Sequence, residues 1–93
     1  KIEEPKTQKI SIIIPSMRID SIVAEIIRTS RAKATEVVKE ERVFVNHELI
    51  VKGSKEVKTG DIITVRGKGR FKVGDMLNQT KKGNLVVEVD KYV

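Results

Sequence analysis

Residues 16–39, SMRIDSIVAEIIRTSRAKATEVVK, carry the pattern that decides the fold. Ile19, Ile22, Val23, Ile26 and Ile27 fall at i, i+3, i+4, i+7 and i+8, the spacing that gathers apolar side chains on one face of an α-helix. Ser16, just ahead, is of a type that caps helix starts, and Arg18, Asp20, Glu25 and Arg28 fall on or beside the wet side. Thr29 and Ser30 interrupt the pattern. Ser30 is placed to cap a second helix whose buried side uses Ala34, Val37 and Val38. So short a link makes the two helices a hairpin.

Downstream, from Arg42, the apolar period changes to two. Val43 and Val45, then Leu49 and Val51, alternate around Asn46 and His47, which predicts a tight β-hairpin. Gly60-Asp61 marks a turn into a strand over 62–66. Phe71, Val73 and Leu77 continue in extended style, and Lys82-Gly83-Asn84 turns the chain into a strand over 85–89. Upstream, the β-branched stretch 9–14, closed by Pro15, reads as an edge strand or as the end of a preceding domain. The polar residues before it, with Pro5, read as a linker. There are no internal repeats.

A chain of 93 residues is one domain's worth, long enough for a single modest core. With 39% hydrophobic and 34% charged residues the composition is globular. The absence of cysteine removes disulfide scaffolds and zinc fingers and is compatible with a cytoplasmic home. No apolar run exceeds three residues, against the roughly 18 of a membrane helix, and no leader opens the chain, so a soluble protein is expected. Opening on Lys1 rather than Met, the chain is expected to be a piece of something longer.

Catalysis finds little support. His47 is the only histidine and sits at a predicted hairpin tip, so no catalytic residue, metal or cofactor is expected. Gly67-Lys68-Gly69 lacks the spacing of a phosphate loop. The charge is more telling: 19 Lys and Arg against 13 Asp and Glu leave a net charge of +6, which fits a polyanion partner. Arg31 and Lys33 occupy the first turn of the second helix, where the helix dipole makes cations unfavourable by roughly 0.3–1 kcal/mol each. A phosphate there, met by backbone N–H groups, the Ser30 hydroxyl and both cations, reverses the sign of that cost. Arg66, Lys68, Arg70 and Lys72 alternate through RGKGRFK; if the segment is extended they share one face, a basic stripe able to track a phosphate backbone. The three aromatics, Phe44, Phe71 and Tyr92, are too few for a base-stacking platform, and Phe44 and Phe71 read as core or half-buried strand residues.

Arg18-Ile19-Asp20, then Ser30-Arg31-Ala32-Lys33-Ala34, then Val43-Phe44-Val45-Asn46, then Val57 through Val65 (VKTGDIITV) resemble, in that order, the RNA-binding domain first named from small-subunit ribosomal protein four, the S-four domain. The lead-in 9–17 and the continuation 66–73 resemble more narrowly the C-terminal S-four domain of the YlmH family, bacterial cytoplasmic proteins linked by name to cell division and associated with the ribosome. The resemblance implies an α+β fold: a helical hairpin packed on a small, mostly antiparallel sheet, the alpha-L RNA-binding motif, with an added C-terminal β-hairpin. The chain then divides into an extension with a short strand (1–15), the S-four-like domain (16–74) and a hairpin extension of the same domain (75–93).

Carried over by position, Arg18, Asp20, Ser30, Arg31, Lys33 and Asn46 match RNA-facing positions of the family, Asp20 either touching RNA or orienting Arg18, and Asn46 also suited to forming the turn. Glu41 and His47 stand where the family usually has glycine, so the helix end and the hairpin are expected to differ in shape. The expected function is a monomeric, non-enzymatic module that anchors a larger protein to structured RNA, ribosomal or transfer RNA, with the ribosome as partner and no membrane. The competing readings are a protein-interaction module and an RNA-targeting appendage of an RNA-modifying enzyme or a tRNA synthetase.

Overall fold

The computed structural model describes residues 7–92; Pro5 and the rest of the polar segment 1–6 lie outside it. In chain order the elements are β1 (Thr7–Ile14), α1 (Ile19–Ile26), α2 (Arg31–Lys39), β2 (Val43–Val45), β3 (Glu48–Leu49), β4 (Ile62–Val65), β5 (Gly69–Gln79) and β6 (Leu85–Tyr92). The strands form one six-stranded sheet in the order β1-β6-β5-β4-β2-β3, every neighbouring pair antiparallel. Two helices beside an antiparallel sheet make this the expected α+β architecture.

Alternation along the strands sorts the side chains. Ile12, Ile14, Val43, Val45, Ile63, Val65, Phe71, Val73, Val87 and Val89 point to one face and are buried. Against them pack Ile19, Ile22, Val23 and Ile26 of α1 and Ala34, Val37 and Val38 of α2, so both helices cover the same side of the sheet and share one core. β1 is the outer strand. It pairs with β6 along its whole length, from Thr7 opposite Tyr92 to Ile14 opposite Leu85. Lys9 and Glu88 meet at 3.1 Å across that pair, and the Glu88 carboxylate raises the Lys9 pKa above its ordinary value.

β5 pairs with β6 with register shifts between Val73 and Met76 and between Met76 and Asn78. Three local readings change. Ser16 does not cap α1: Arg18 is the N-cap residue and makes no side-chain capping bond. Asp20, placed on the wet side by periodicity, is buried. The segment 66–72 is not one extended stripe. β4 ends at Val65, and Gly67 (φ 84°) and Gly69 (φ 112°) take left-handed conformations that fold 66–68 into a hairpin turn.

At the two positions where the resemblance implies glycine, Glu41 and His47 both adopt left-handed backbones. Glu41 (φ 61°) follows α2 in a Schellman motif: its N–H bonds Val38 O, and that of Arg42 bonds Val37 O. Arg28 (φ 54°) ends α1 the same way, its N–H on Glu25 O and that of Thr29 on Ala24 O. Asn46 (φ 51°) and His47 (φ 70°) form the two-residue β2–β3 turn, the pair of left-handed residues that matches strand twist. A left-handed backbone costs a side-chain-bearing residue about 1–2 kcal/mol, more than the roughly 0.3–1 kcal/mol a cation such as Arg28 gains at a helix C-terminus. Glu41→Gly and His47→Gly are each expected to raise unfolding stability by about 0.5–1 kcal/mol, the relief of strain less the entropy of a new glycine, read as a higher urea midpoint at unchanged m-value.

Candidate nucleic-acid interface

The start of α1 is built by tertiary contacts. Arg18 bridges to Glu56, and the Val57 N–H bonds Met17 O at 2.8 Å, which pins residues 17–18 to the segment after β3. The loop before Glu56 then turns its carbonyls onto the helix end. Ile19 N–H donates to Lys55 O (2.8 Å) and Asp20 N–H to Gly53 O (3.1 Å), satisfying groups a helix start leaves open.

Asp20 sits inside this junction at 4% exposure. One carboxylate oxygen, Oδ1, accepts the Ser21 N–H at 2.7 Å. The other, Oδ2, accepts Arg18 Nη2 at 3.0 Å and faces Arg31 Nη2, from α2, at 3.7 Å. A buried carboxylate needs such partners, and its place in the first turn of α1 suits the helix dipole. Gly53 closes the site from the loop side: a Cβ there would lie 3.2 Å from both Asp20 Cβ and Oδ2.

The charges do not cancel. Arg18 and Arg31 share a single carboxylate, which leaves one positive charge, and their side chains are 44% and 52% exposed. Beside them Ser30 caps α2 with its hydroxyl accepting the Lys33 N–H at 3.1 Å; no acid occupies the first turn, and Arg31 and Ala32 are exposed. Lys33 meets Glu36 at 3.7 Å, but both side chains are well exposed, and such pairs hold by less than about 1 kcal/mol. Two guanidiniums, a helix start and a lysine thus form an arrangement chemically suited to phosphate oxygens.

The remaining candidates divide. Asn46 is engaged within the protein, its amide donating to Asp61 Oδ1 (3.0 Å) and accepting the Ile62 N–H (3.0 Å), which locks the β2–β3 turn to β4. Arg66 and Lys68 ride the β4–β5 turn, where Arg42 Nη2 holds Arg66 O at 3.0 Å. Arg70 and Lys72 alternate with buried Phe71 and Val73, so they project from the helix-free face of the sheet. The structure therefore joins Arg18, Asp20, Ser30, Arg31 and Lys33 and separates Arg70 and Lys72 from them. Sequence reasoning missed the loop Lys52-Gly53-Ser54-Lys55, whose carbonyls start α1 and whose lysines are exposed. The signal was two lysines around a Gly-Ser turn, with nothing local to show where that turn docks. Among the described residues no three His, Cys, Asp or Glu side chains cluster as metal ligands.

The S4 domain family matches residues 17–63, half of the chain, and these residues span both helices, the Asp20 junction, β2, β3 and the first half of β4. The chain belongs to that family, whose domain is an RNA-binding module and not a catalytic one. No curated protein matches the chain.

Asp20→Asn keeps an oxygen for the Ser21 N–H but gives up the charge that holds both arginines. It is expected to lower stability by about 1–3 kcal/mol in urea unfolding. It is also expected to weaken RNA binding in a fluorescence anisotropy titration despite the gain in net positive charge. Gly53→Ala, which pushes a methyl group onto the same carboxylate, should act in the same direction and more weakly.

Proposed function

We propose that this module anchors a larger protein to structured RNA, ribosomal RNA foremost, by gripping phosphates at the joint start of α1 and α2. The observation that carries the reading is the convergence of Arg18 and Arg31, from different elements, on one Asp20 oxygen: the pair is positioned without being neutralised. Ser30 and Lys33 extend the grip along α2, and the turn cations Arg66 and Lys68 add a second contact region. Arg70 and Lys72, on the other face, stay outside this footprint. A YlmH-like relationship, with a bacterial, cytoplasmic, ribosome-associated parent linked to cell division, rests on the likeness of 9–17 and 66–73. The module acts as a monomer and adds no chemistry of its own. A protein-docking role for the later strands is favoured by one observation, the exposure of Met76 and Leu77 at 58% and 52%. Co-purification with ribosomes that survives ribonuclease would support that role against ours.

Affinity for a ribosomal RNA hairpin is expected to fall steeply with salt, with a log-log slope of about −3 or steeper for four or more neutralised phosphates. A flat response overturns the reading. Arg31→Gln should cost about 1 kcal/mol of binding, roughly fivefold in affinity, with a smaller loss of stability than Asp20→Asn because Arg18 still holds the carboxylate; unchanged affinity would remove the helix start from the interface.

A further inference from the structure

At the other end of α1 the helix side of the sheet opens into a cleft of about 410 Å³, within the roughly 300–1,000 Å³ range of small-ligand sites. Its floor is aliphatic, formed by half-buried Ile10 of β1 and Ile27 after α1, above the buried Ile12, Ile26 and Phe71. Its charged groups are Arg28, Lys68 and Lys91, from the α1 terminus, the β4–β5 turn and β6, with Glu25 the one acid among the lining residues. None of the three cations makes a salt bridge among the described residues.

Cations from three separate segments around one cleft repel one another, and the fold supplies no ion-paired carboxylate to relieve them; an anionic ligand does. Arg28 sharpens the point. It occupies a left-handed helix-end position where glycine would be unstrained, so its side chain is kept at a cost to the backbone. Gln8 and Ser11 bring polar groups to the same cleft, and β1 is paired on one side only, which leaves backbone donors and acceptors along its outer edge. An aliphatic floor, polar edge groups and three unpaired cations suit a planar base joined to a phosphate.

We propose that this cleft takes one unstacked nucleotide of the bound RNA, the base on Ile10 and Ile27 and its phosphate among Arg28, Lys68 and Lys91. The inference rests on the RNA-binding reading. α1, eight residues and about 12 Å long, separates the cleft from the Arg18–Arg31 site, so one RNA can occupy both.

The test uses the 93-residue chain, two RNA hairpins that differ by a single bulged adenosine, and AMP as the free nucleotide. The wild type should prefer the bulged hairpin by about tenfold, and the bulge should shift the amide resonances of Ile10, Ile27 and Lys91. Arg28→Gly should raise the melting temperature, because the strain is gone, and abolish the preference while the unbulged hairpin binds within about threefold of wild type. Lys91→Ala should reduce the preference in the same way. Equal binding of the two hairpins, or a preference that survives Arg28→Gly, overturns the proposal. Saturable AMP binding at these amides without any bulge preference also overturns it, assigning the cleft to free nucleotides. Failure of the wild type to bind either hairpin refutes instead the RNA-anchoring function.

Discussion

A single buried carboxylate organises the functional end of this molecule. Asp20 is compensated from three directions, by the backbone N–H of Ser21, by Arg18 and by Arg31, while its own N–H is held by Gly53 O. Arg18 and Ser21 come from the start of α1, Arg31 from α2 and Gly53 from the loop after β3, so the acid fastens these three stretches at one point. The charge requirement of a buried acid selects one arrangement, and that arrangement sets two guanidiniums side by side at the surface.

The stoichiometry matters as much as the geometry. A one-to-one ion pair would have hidden its arginine from any ligand. Two arginines on one carboxylate remain attractive to phosphate while losing the side-chain freedom that binding would otherwise have to remove. The N-terminus of α2, capped by Ser30, begins at Arg31 and adds its positive helix end to this charge. On the proposed reading, binding strength comes from preorganised charge, in keeping with a chain that has three aromatic residues and places one of them, Phe71, in the core.

Economy of connection has a conformational cost. Four non-glycine residues among those described, Arg28, Glu41, Asn46 and His47, adopt left-handed backbones, and all four sit where one element gives way to the next within a few residues. Asn46 offsets its cost with two side-chain bonds to the start of β4. Glu41 and His47 are exposed, with no comparable side-chain bonds. Their backbone is imposed by Schellman closure and by the two-residue turn, because the packed helices and paired strands on either side leave no other path.

The local pattern of the sequence was enough to determine the helical hairpin, the Ser30 cap, the buried Ala34, Val37 and Val38, the Asn46-His47 turn and the alternation of most strands, since each follows from spacings of two to eight residues. The order of the motifs was enough to place the chain in its family, and the exposed arginine in the first turn of α2 was legible from the Ser30 cap. Tertiary structure alone decided the rest. Periodicity put Asp20 in water because it counts only the helix's own neighbours, whereas the loop that buries it lies more than thirty residues away in sequence. The RGKGRFK segment looked like one stripe because alternation implies a shared face only where the backbone stays extended, and two left-handed glycines ended that condition. Arg28, Lys68 and Lys91, distant in sequence and unremarkable singly, became one group only when α1, the β4–β5 turn and β6 were folded against each other.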